Sequence, residues 1–159
     1  HSLDRRQRQM CIRDRIAAAC TKIQGQFTSA PSSITQAAAA AALEADPSLV
    51  DGMVDAFRGR RALMVDGLAE VPGFKVNQPM GAFYVFPDVS ALFGKSFNGK
   101  RIENANDVAF FLLEEARVAT VSGAAFGTPE CIRLSYAAAE DVLREAVRRI
   151  DKACRQLRE

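Results

Sequence analysis

The chain has 159 residues, 48% of them apolar, and a formal net charge of +2. This length is sufficient for one domain with a hydrophobic core but too short for most two-domain metabolic enzymes. No apolar run of about eighteen residues and no secretory signal pattern occur, so we expect a cytoplasmic protein with no membrane partner. The single histidine, His1, excludes most histidine-based catalysis, and four cysteines without CxxC spacing favour reduced thiols over a metal site or a disulfide framework.

Residues 1–15 differ from everything that follows, because they are polar and hold five arginines against two aspartates. Residues 10–15 (MCIRDR) resemble the conceptual translation of a sequencing adapter, so we interpret residues 1–15 as a non-native segment. The alternative is a disordered basic tail. The remaining residues comprise 16 basic and 17 acidic ones, a balance that gives no reason to expect nucleic-acid binding.

The next part of the chain predicts a connection followed by two helices. Residues 16–31 are rich in Thr, Gln, Ser and Gly and are predicted to be connecting backbone. Ser32 or Ser33 is predicted to cap a helix with an alanine-rich body over residues 36–45. Apolar residues at three- and four-residue steps predict a long amphipathic helix over residues 49–68 that ends before Val71.

Beyond residue 73 the pattern becomes extended, which indicates an α+β sandwich with a small mixed sheet. The strand over residues 82–86 is continuously apolar, so we expect it to be buried on both faces. Asn106 is the predicted cap of the helix that follows a polar loop. The other predicted elements are strands at residues 74–76, 118–121 and 131–137, the loop at 94–104, and helices at 107–117 and 140–157.

Arg133 is the strongest candidate for a functional side chain. Alternation along residues 131–136 places it on the strand face opposite Ile132 and Leu134. A permanently charged guanidinium on an apolar strand needs an acidic side chain or an anionic ligand, and its fork suits a carboxylate. An internal ion pair and an exposed sheet edge are the alternatives for this segment taken alone.

Three other features carry weaker signals. Residues 122–127 (SGAAFG) could present backbone N–H groups to a ligand, although a tight turn is the preferred interpretation. The aromatic segment of residues 81–84 (GAFY) is typical of a core strand. Lys22 could suggest a Schiff-base role, but a solvated surface amine is preferred because nothing local would desolvate it.

Several segments, taken in their order, resemble one family. They are residues 24–36 (QGQFTSAPSSITQ), 81–87 (GAFYVFP), 118–127 (VATVSGAAFG) and 132–137 (IRLSYA). Together they look like the C-terminal part of a fold-type I, class I aminotransferase of the aspartate aminotransferase type. The resemblance runs from about residue 16 to the end of the chain. It implies that residues 16–31 end a large cofactor domain and that residues 32–159 form connecting helices and the small domain.

The resemblance also implies a homodimer that transaminates an amino acid, such as aspartate, with a 2-oxo acid, such as 2-oxoglutarate. Arg133 matches the arginine that binds the substrate α-carboxylate, and Phe83 matches an aromatic residue that faces the site. Thr28 and Ser29 match a stretch that approaches the neighbouring subunit's active site.

In the family, pyridoxal phosphate is held by the large domain as a Schiff base to lysine. The segment with that lysine does not occur in this sequence, so no residue here is expected to be catalytic, cofactor-binding or metal-binding, and the chain alone is expected to be inactive. Gly25 stands where one subgroup has an arginine for a distal carboxylate. Alternatives of the same fold are a C–S lyase and a dimerisation or ligand-sensing domain of a regulator.

Overall fold

The computed structural model of the chain describes residues 14–28 and 30–159. They form two compact units, the described residues up to Leu49 and residues Val50–Glu159. The predicted boundaries at residues 15 and 31 remain a prediction. In the described part of the chain, no helix has the length and apolar character needed to cross a membrane.

The mixture of helices and short strands confirms the α+β class. The helices are α1 (Asp14–Phe27), α2 (Ser33–Glu44), α3 (Asp51–Ala69), α4 (Ala105–Phe111) and α5 (Glu140–Cys154). The strands are β1 (Tyr84–Val85), β2 (Ser96–Phe97), β3 (Lys100–Arg101), β4 (Val121–Ser122) and β5 (Ile132–Ser135). Short 3-10 turns occupy Pro47–Val50, Ser90–Leu92 and Gly123–Phe126.

Helix α1 corrects the prediction that residues 16–31 are connecting backbone. Ile16, Cys20, Ile23 and Phe27 recur at steps of four, three and four residues, which is the period of one helix face. The polar residues and the glycine between Cys20 and Phe27 obscured this stripe in the sequence. All four side chains are exposed in the structure, Phe27 by 83%.

The helix predicted after Pro31 is confirmed, together with its cap. Ser32 is the N-cap of α2, and its hydroxyl accepts a hydrogen bond from the backbone N–H of Thr35 at 3.2 Å. The next helix, α3, ends before Val71 as predicted. Its C-terminal half is buried at Met64 and Leu68, while the N-terminal half of its apolar stripe is exposed.

The second unit is built on a three-stranded sheet with the order β1-β5-β4 and on the packing of α3 against α5. The sheet is antiparallel throughout rather than mixed as predicted. The segment between β4 and β5 is too short for the crossover that a parallel pair requires. The core is formed by Met64, Leu68, Val85, Leu92, Val108, Leu112, Ile132, Leu134, Tyr136, Leu143 and Ile150.

Strand β1 is shorter and less buried than predicted. Val85 is buried, whereas Phe83 is 51% exposed, so the strand alternates instead of being buried on both faces. A single small sheet covers its core with one face only, which explains the difference. Residues 74–76 form no strand, although Lys75 makes one antiparallel bridge with Asp88.

The predicted polar loop at residues 94–104 contains the hairpin of β2 and β3. Asn98 and Gly99 form its turn with left-handed backbone, at φ angles of 48° and 80°. An Asn-Gly pair is a strong signal for such a two-residue turn, and the composition of the loop hid it.

The N-caps of α4 and α5 differ, and the predicted cap of α4 is wrong. Asn104 caps α4 in place of Asn106, because its side-chain oxygen accepts hydrogen bonds from the N–H groups of Asn106 and Asp107 at 2.9 and 3.2 Å. A π-helical turn, Leu112–Ala116, continues α4. Ala139, the N-cap residue of α5, provides no side-chain hydrogen bond to this helix.

Candidate functional site

Arg133 lies on the central strand of the three-stranded sheet, on the face away from the core. Ile132 and Leu134 are buried, Arg133 is half-buried and Ser135 is exposed, so the predicted alternation is confirmed. Val121 of β4 pairs with Arg133 of β5. The Val121 side chain lies on the same face of the sheet as Arg133 and, like Ser135, is exposed. This face of the sheet is therefore open around the guanidinium.

Two aromatic rings contact the guanidinium of Arg133. Its central carbon, Cζ, lies 5.2 Å from the ring centre of Tyr84 and 4.6 Å from that of Phe126. Tyr84 pairs with Ser135, so it stands diagonally across from Arg133 on the same face, within reach of long side chains. Phe126 comes from the turn after β4, on the other side of β5.

No acidic side chain of the described residues forms an ion pair with Arg133. The rings contact the guanidinium by cation–π attraction, which does not use the N–H donors in its plane. A half-buried guanidinium with no acidic partner among the described residues is suited to bind a carboxylate in a bidentate manner. The alternative of an internal ion pair finds no support in the described residues.

The SGAAFG segment is a tight turn, as preferred from the sequence. The N–H of Gly123 donates to the carbonyl of Cys131 at 2.7 Å, and the N–H of Gly127 donates to that of Ala124 at 3.3 Å. These donors are occupied within the turn and its neighbouring strand, so they are not directed at a ligand. The turn contributes through Phe126, whose ring it places beside Arg133.

Phe83 lines a groove of about 580 Å³ between α3 and the segment before β1. Its ring meets Tyr84 edge-on, with centres 5.2 Å apart and planes at 78°. Phe83 is therefore one ring away from Arg133, which does not line the groove. The lining residues are Met53, Val54, Phe57, Arg58, Arg61, Met80, Gly81, Ala82, Phe83 and Tyr136.

Two side chains donate hydrogen bonds to the backbone of the segment that carries Phe83. Arg61 donates from Nη1 to the carbonyl of Pro79 at 3.1 Å, and the Tyr136 hydroxyl donates to the carbonyl of Ala82 at 2.9 Å. Ala82 has left-handed backbone, with φ at 62°, a conformation that costs free energy in a residue with a Cβ. The hydrogen bond from buried Tyr136 therefore helps to hold this backbone in place.

Thr28 follows α1 in the first unit, and its hydroxyl donates to the carbonyl of Gln24 at 2.7 Å. Ser29 lies outside the described residues. Lys22 is exposed on α1, in keeping with a surface amine. The roles predicted for Thr28 and Ser29 next to the neighbouring subunit remain predictions.

The thiol next to β5 is not an activated nucleophile. Burial raises the pKa of Cys131, and the negative charges of Asp88 and Glu130 act in the same direction. A raised pKa leaves the thiol protonated at neutral pH, whereas the thiolate is the reactive form. Cys131 therefore contributes to packing beside the site.

Sequence reasoning missed Tyr84 and Phe126 as neighbours of Arg133. The residues around Tyr84 were interpreted as core, and Phe126 fell in a turn with no periodic signal. One feature of the sequence could have indicated them, because both are aromatic residues within or near segments predicted to be strands. Without the strand register, it could not be connected to Arg133.

Comparisons with known proteins identify related sequences and folds. Residues 9–150 match the sequence pattern of the family described as Aminotransferase class I and II. A bifunctional aspartate aminotransferase and glutamate/aspartate-prephenate aminotransferase of Petunia hybrida is 49% identical over 140 residues, which cover 86% of this chain and 29% of that protein.

Solved structures of aspartate aminotransferases also match this chain. The aspartate aminotransferase from Rhizobium meliloti matches with a TM-score of 0.79 and 42% identity, over 86% of this chain and 34% of that one. The Thermus thermophilus aspartate aminotransferase with maleate matches with a TM-score of 0.68 and 36% identity, over 83% and 32%. The chain thus spans 29% to 34% of the length of these relatives.

Proposed function

Because the chain belongs to the class I and II aminotransferases, we propose that it supplies the part of an amino-acid transaminase that binds the substrate α-carboxylate. The observation that carries this proposal is the Arg133 guanidinium, which is contacted by two rings and has no acidic partner among the described residues. The relatives named as aspartate aminotransferases favour aspartate as the amino acid, and we propose 2-oxoglutarate as the 2-oxo acid on the family resemblance.

In this role, Arg133 binds one carboxylate through two parallel N–H···O bonds. A bidentate pair fixes the plane of the carboxylate as well as its position, and so restricts the orientation of the neighbouring Cα. Lysine could supply the charge but not the planar fork. Phe83, exposed beside Tyr84, is proposed to line the same approach to the site.

The chain's own residues do not fit the role of holding pyridoxal phosphate. A lysine that forms a Schiff base needs surroundings that desolvate it, and none of the five lysines is buried. The cofactor, which acts as an electron sink when bound, is therefore proposed to be held by the part of the family's length that this chain does not span. On this basis the chain alone has no transaminase activity.

We propose that the intact protein is a cytoplasmic homodimer in which Thr28 and Ser29 approach the neighbouring subunit. The exposed apolar stripe of α1 supports an association through the first unit, because it leaves Ile16, Ile23 and Phe27 in water.

A titration of the 159-residue chain with maleate, a dicarboxylate, tests carboxylate binding by Arg133. The side-chain Nε–Hε signals of the arginines are followed by NMR of the ¹⁵N-labelled chain. We expect the Arg133 signal to shift and saturate at lower maleate concentrations than that of Arg101, an exposed arginine in the hairpin. The absence of this signal in Arg133→Lys, whose lysine has no Nε–Hε group, assigns it to Arg133. An Arg133 signal that moves only in parallel with Arg101 would refute the proposed site.

A further inference from the structure

Arg133 is held by aromatic rings on both sides of its strand. Tyr84 approaches from β1 and Phe126 from the turn that follows β4, while β5 lies between these two strands. Within the described residues, no carboxylate forms an ion pair with Arg133.

Contact with a ring has a different consequence from contact with a carboxylate. The five N–H donors of a guanidinium lie in its plane, and a carboxylate partner would occupy the fork they form. A ring attracts the cation through its π face, without accepting from that fork in the manner of a carboxylate. Tyr84 and Phe126 therefore restrain Arg133 while its donors stay available for a ligand.

Each of the two rings has a second aromatic contact. Phe126 meets Phe86 edge-on, with ring centres 6.1 Å apart and planes at 85°. Tyr84 meets Phe83 at 5.2 Å and 78°. Edge-to-face pairs of this kind are favourable and directional. The rings around Arg133 thus belong to two aromatic pairs, Phe83 with Tyr84 and Phe86 with Phe126, which meet at its guanidinium and are together called the aromatic cluster.

The approach of the SGAAFG turn to this cluster depends on Gly123. A Cβ at this position would lie 2.9 Å from Cζ of Phe86 and closer still to the carbonyl oxygen of Thr128. The absence of a side chain lets the turn pack closely enough to place Phe126 within 4.6 Å of the Arg133 guanidinium.

We propose that Tyr84 and Phe126 are positioning residues that hold the Arg133 guanidinium in its binding orientation before a carboxylate arrives. The inference rests on the proposed function of Arg133. A long arginine side chain loses rotational freedom when it binds, which weakens binding. Restraining it in the free protein reduces that loss, so carboxylate affinity depends on the two rings through Arg133.

The test compares variants that remove a ring with variants that keep it. In Phe126→Leu and Tyr84→Leu, the upfield ring-current shift of the Arg133 side-chain protons should decrease, and maleate affinity should fall by about two- to tenfold. Phe126→Tyr and Tyr84→Phe should keep both properties. Phe126 is 48% exposed, so its replacement by leucine is compatible with folding.

Phe110→Leu is the matched control, because Phe110 is 63% exposed and makes no cation–π contact within the described residues. It should leave the Arg133 shifts and the affinity unchanged. A maleate response that keeps its wild-type affinity in both Leu variants would overturn the positioning role alone. An Arg133 signal that ignores maleate in the wild-type chain would instead overturn the carboxylate role and this inference with it.

Discussion

Substitution of Gly123 should disturb the turn that places Phe126 beside Arg133. A Cβ at this position would lie 2.6 Å from the carbonyl oxygen of Cys131 and closer still to that of Thr128, and backbone atoms cannot move aside cheaply. We expect Gly123→Ala to lower the free energy of unfolding by about 1–3 kcal/mol, because overpacking forces the turn to shift. Urea denaturation measures this change.

Gly52 provides the control for this substitution. It lies in α3, and a Cβ there would meet no atom within 4 Å. Alanine in a helix is favoured over glycine, so Gly52→Ala should stabilise the chain by about 0.5–1 kcal/mol. Equal effects of the two substitutions would contradict the close approach at Gly123.

The cysteines should differ in their reactivity towards thiol reagents. Burial raises the pKa of Cys154 to about 12, with a further contribution from Asp151, and the pKa of Cys131 is raised as well. Cys20 is exposed. Since only the thiolate reacts, alkylation at about pH 8 followed by peptide mapping should modify Cys20 well before Cys131 and Cys154. Modification of Cys154 at the rate of Cys20 would contradict its burial.

The position of Arg133 could be predicted from the sequence, whereas its neighbours could not. A strand that covers a core with one face must alternate, so buried Ile132 and Leu134 determine the direction of Arg133. The contacts with Tyr84 and Phe126 depend on which strands pair and in which register. That pairing is set by contacts between distant parts of the chain and leaves no local pattern.

At the scale of elements, α5 lacks a side-chain cap and should be open to stabilisation. Ala139 has the extended backbone that an N-cap requires, with φ at −65° and ψ at 148°, but offers no acceptor. Ala139→Asp should raise the free energy of unfolding by about 1 kcal/mol, because its carboxylate can accept from a free N–H of the first turn.

Ala137→Asp is the control for this cap. It adds the same charge at an exposed position two residues earlier, where it does not occupy the N-cap. Thermal or urea unfolding should show a smaller gain than in Ala139→Asp. A gain of the same size in both variants would assign the effect to charge alone.

The helices and strands show which local signals are reliable. The stripes of α3 and α5 were predicted correctly from their helical period alone, and the start of α2 was predicted correctly from its capping serine. Helix α1 was missed because the second half of its stripe, from Cys20 to Phe27, is interrupted by Thr, Gln and Gly residues typical of loops. The hairpin was missed because its Asn98-Gly99 turn lies in a segment without strand periodicity.

At the scale of the whole molecule, the α+β class followed from the order of elements, but the direction of strand pairing did not. The antiparallel direction is a property of how β5 pairs with β1 on one side and with β4 on the other. The division between Leu49 and Val50 was also absent from the prediction, which placed a boundary at residue 31 instead.

The chain alone should neither bind pyridoxal phosphate stoichiometrically nor transaminate aspartate. Its lysines lack the buried surroundings that activate such a residue as a nucleophile. Absorption spectroscopy after addition of the cofactor and dialysis should show no retained band. A saturable band with one equivalent per chain would contradict the assignment of the cofactor to another part of the family's length.

The most direct test of the account is the kinetic effect of Arg133→Lys in a full-length enzyme. This chain would replace the matching third of the Rhizobium meliloti relative, and kcat/KM for aspartate would be measured in the chimera with and without the substitution. Loss of the bidentate fork should lower kcat/KM by about 30- to 1000-fold, corresponding to about 2–4 kcal/mol and mainly through KM, while Arg101→Lys has no effect. An unchanged kcat/KM in Arg133→Lys would contradict the carboxylate-binding role.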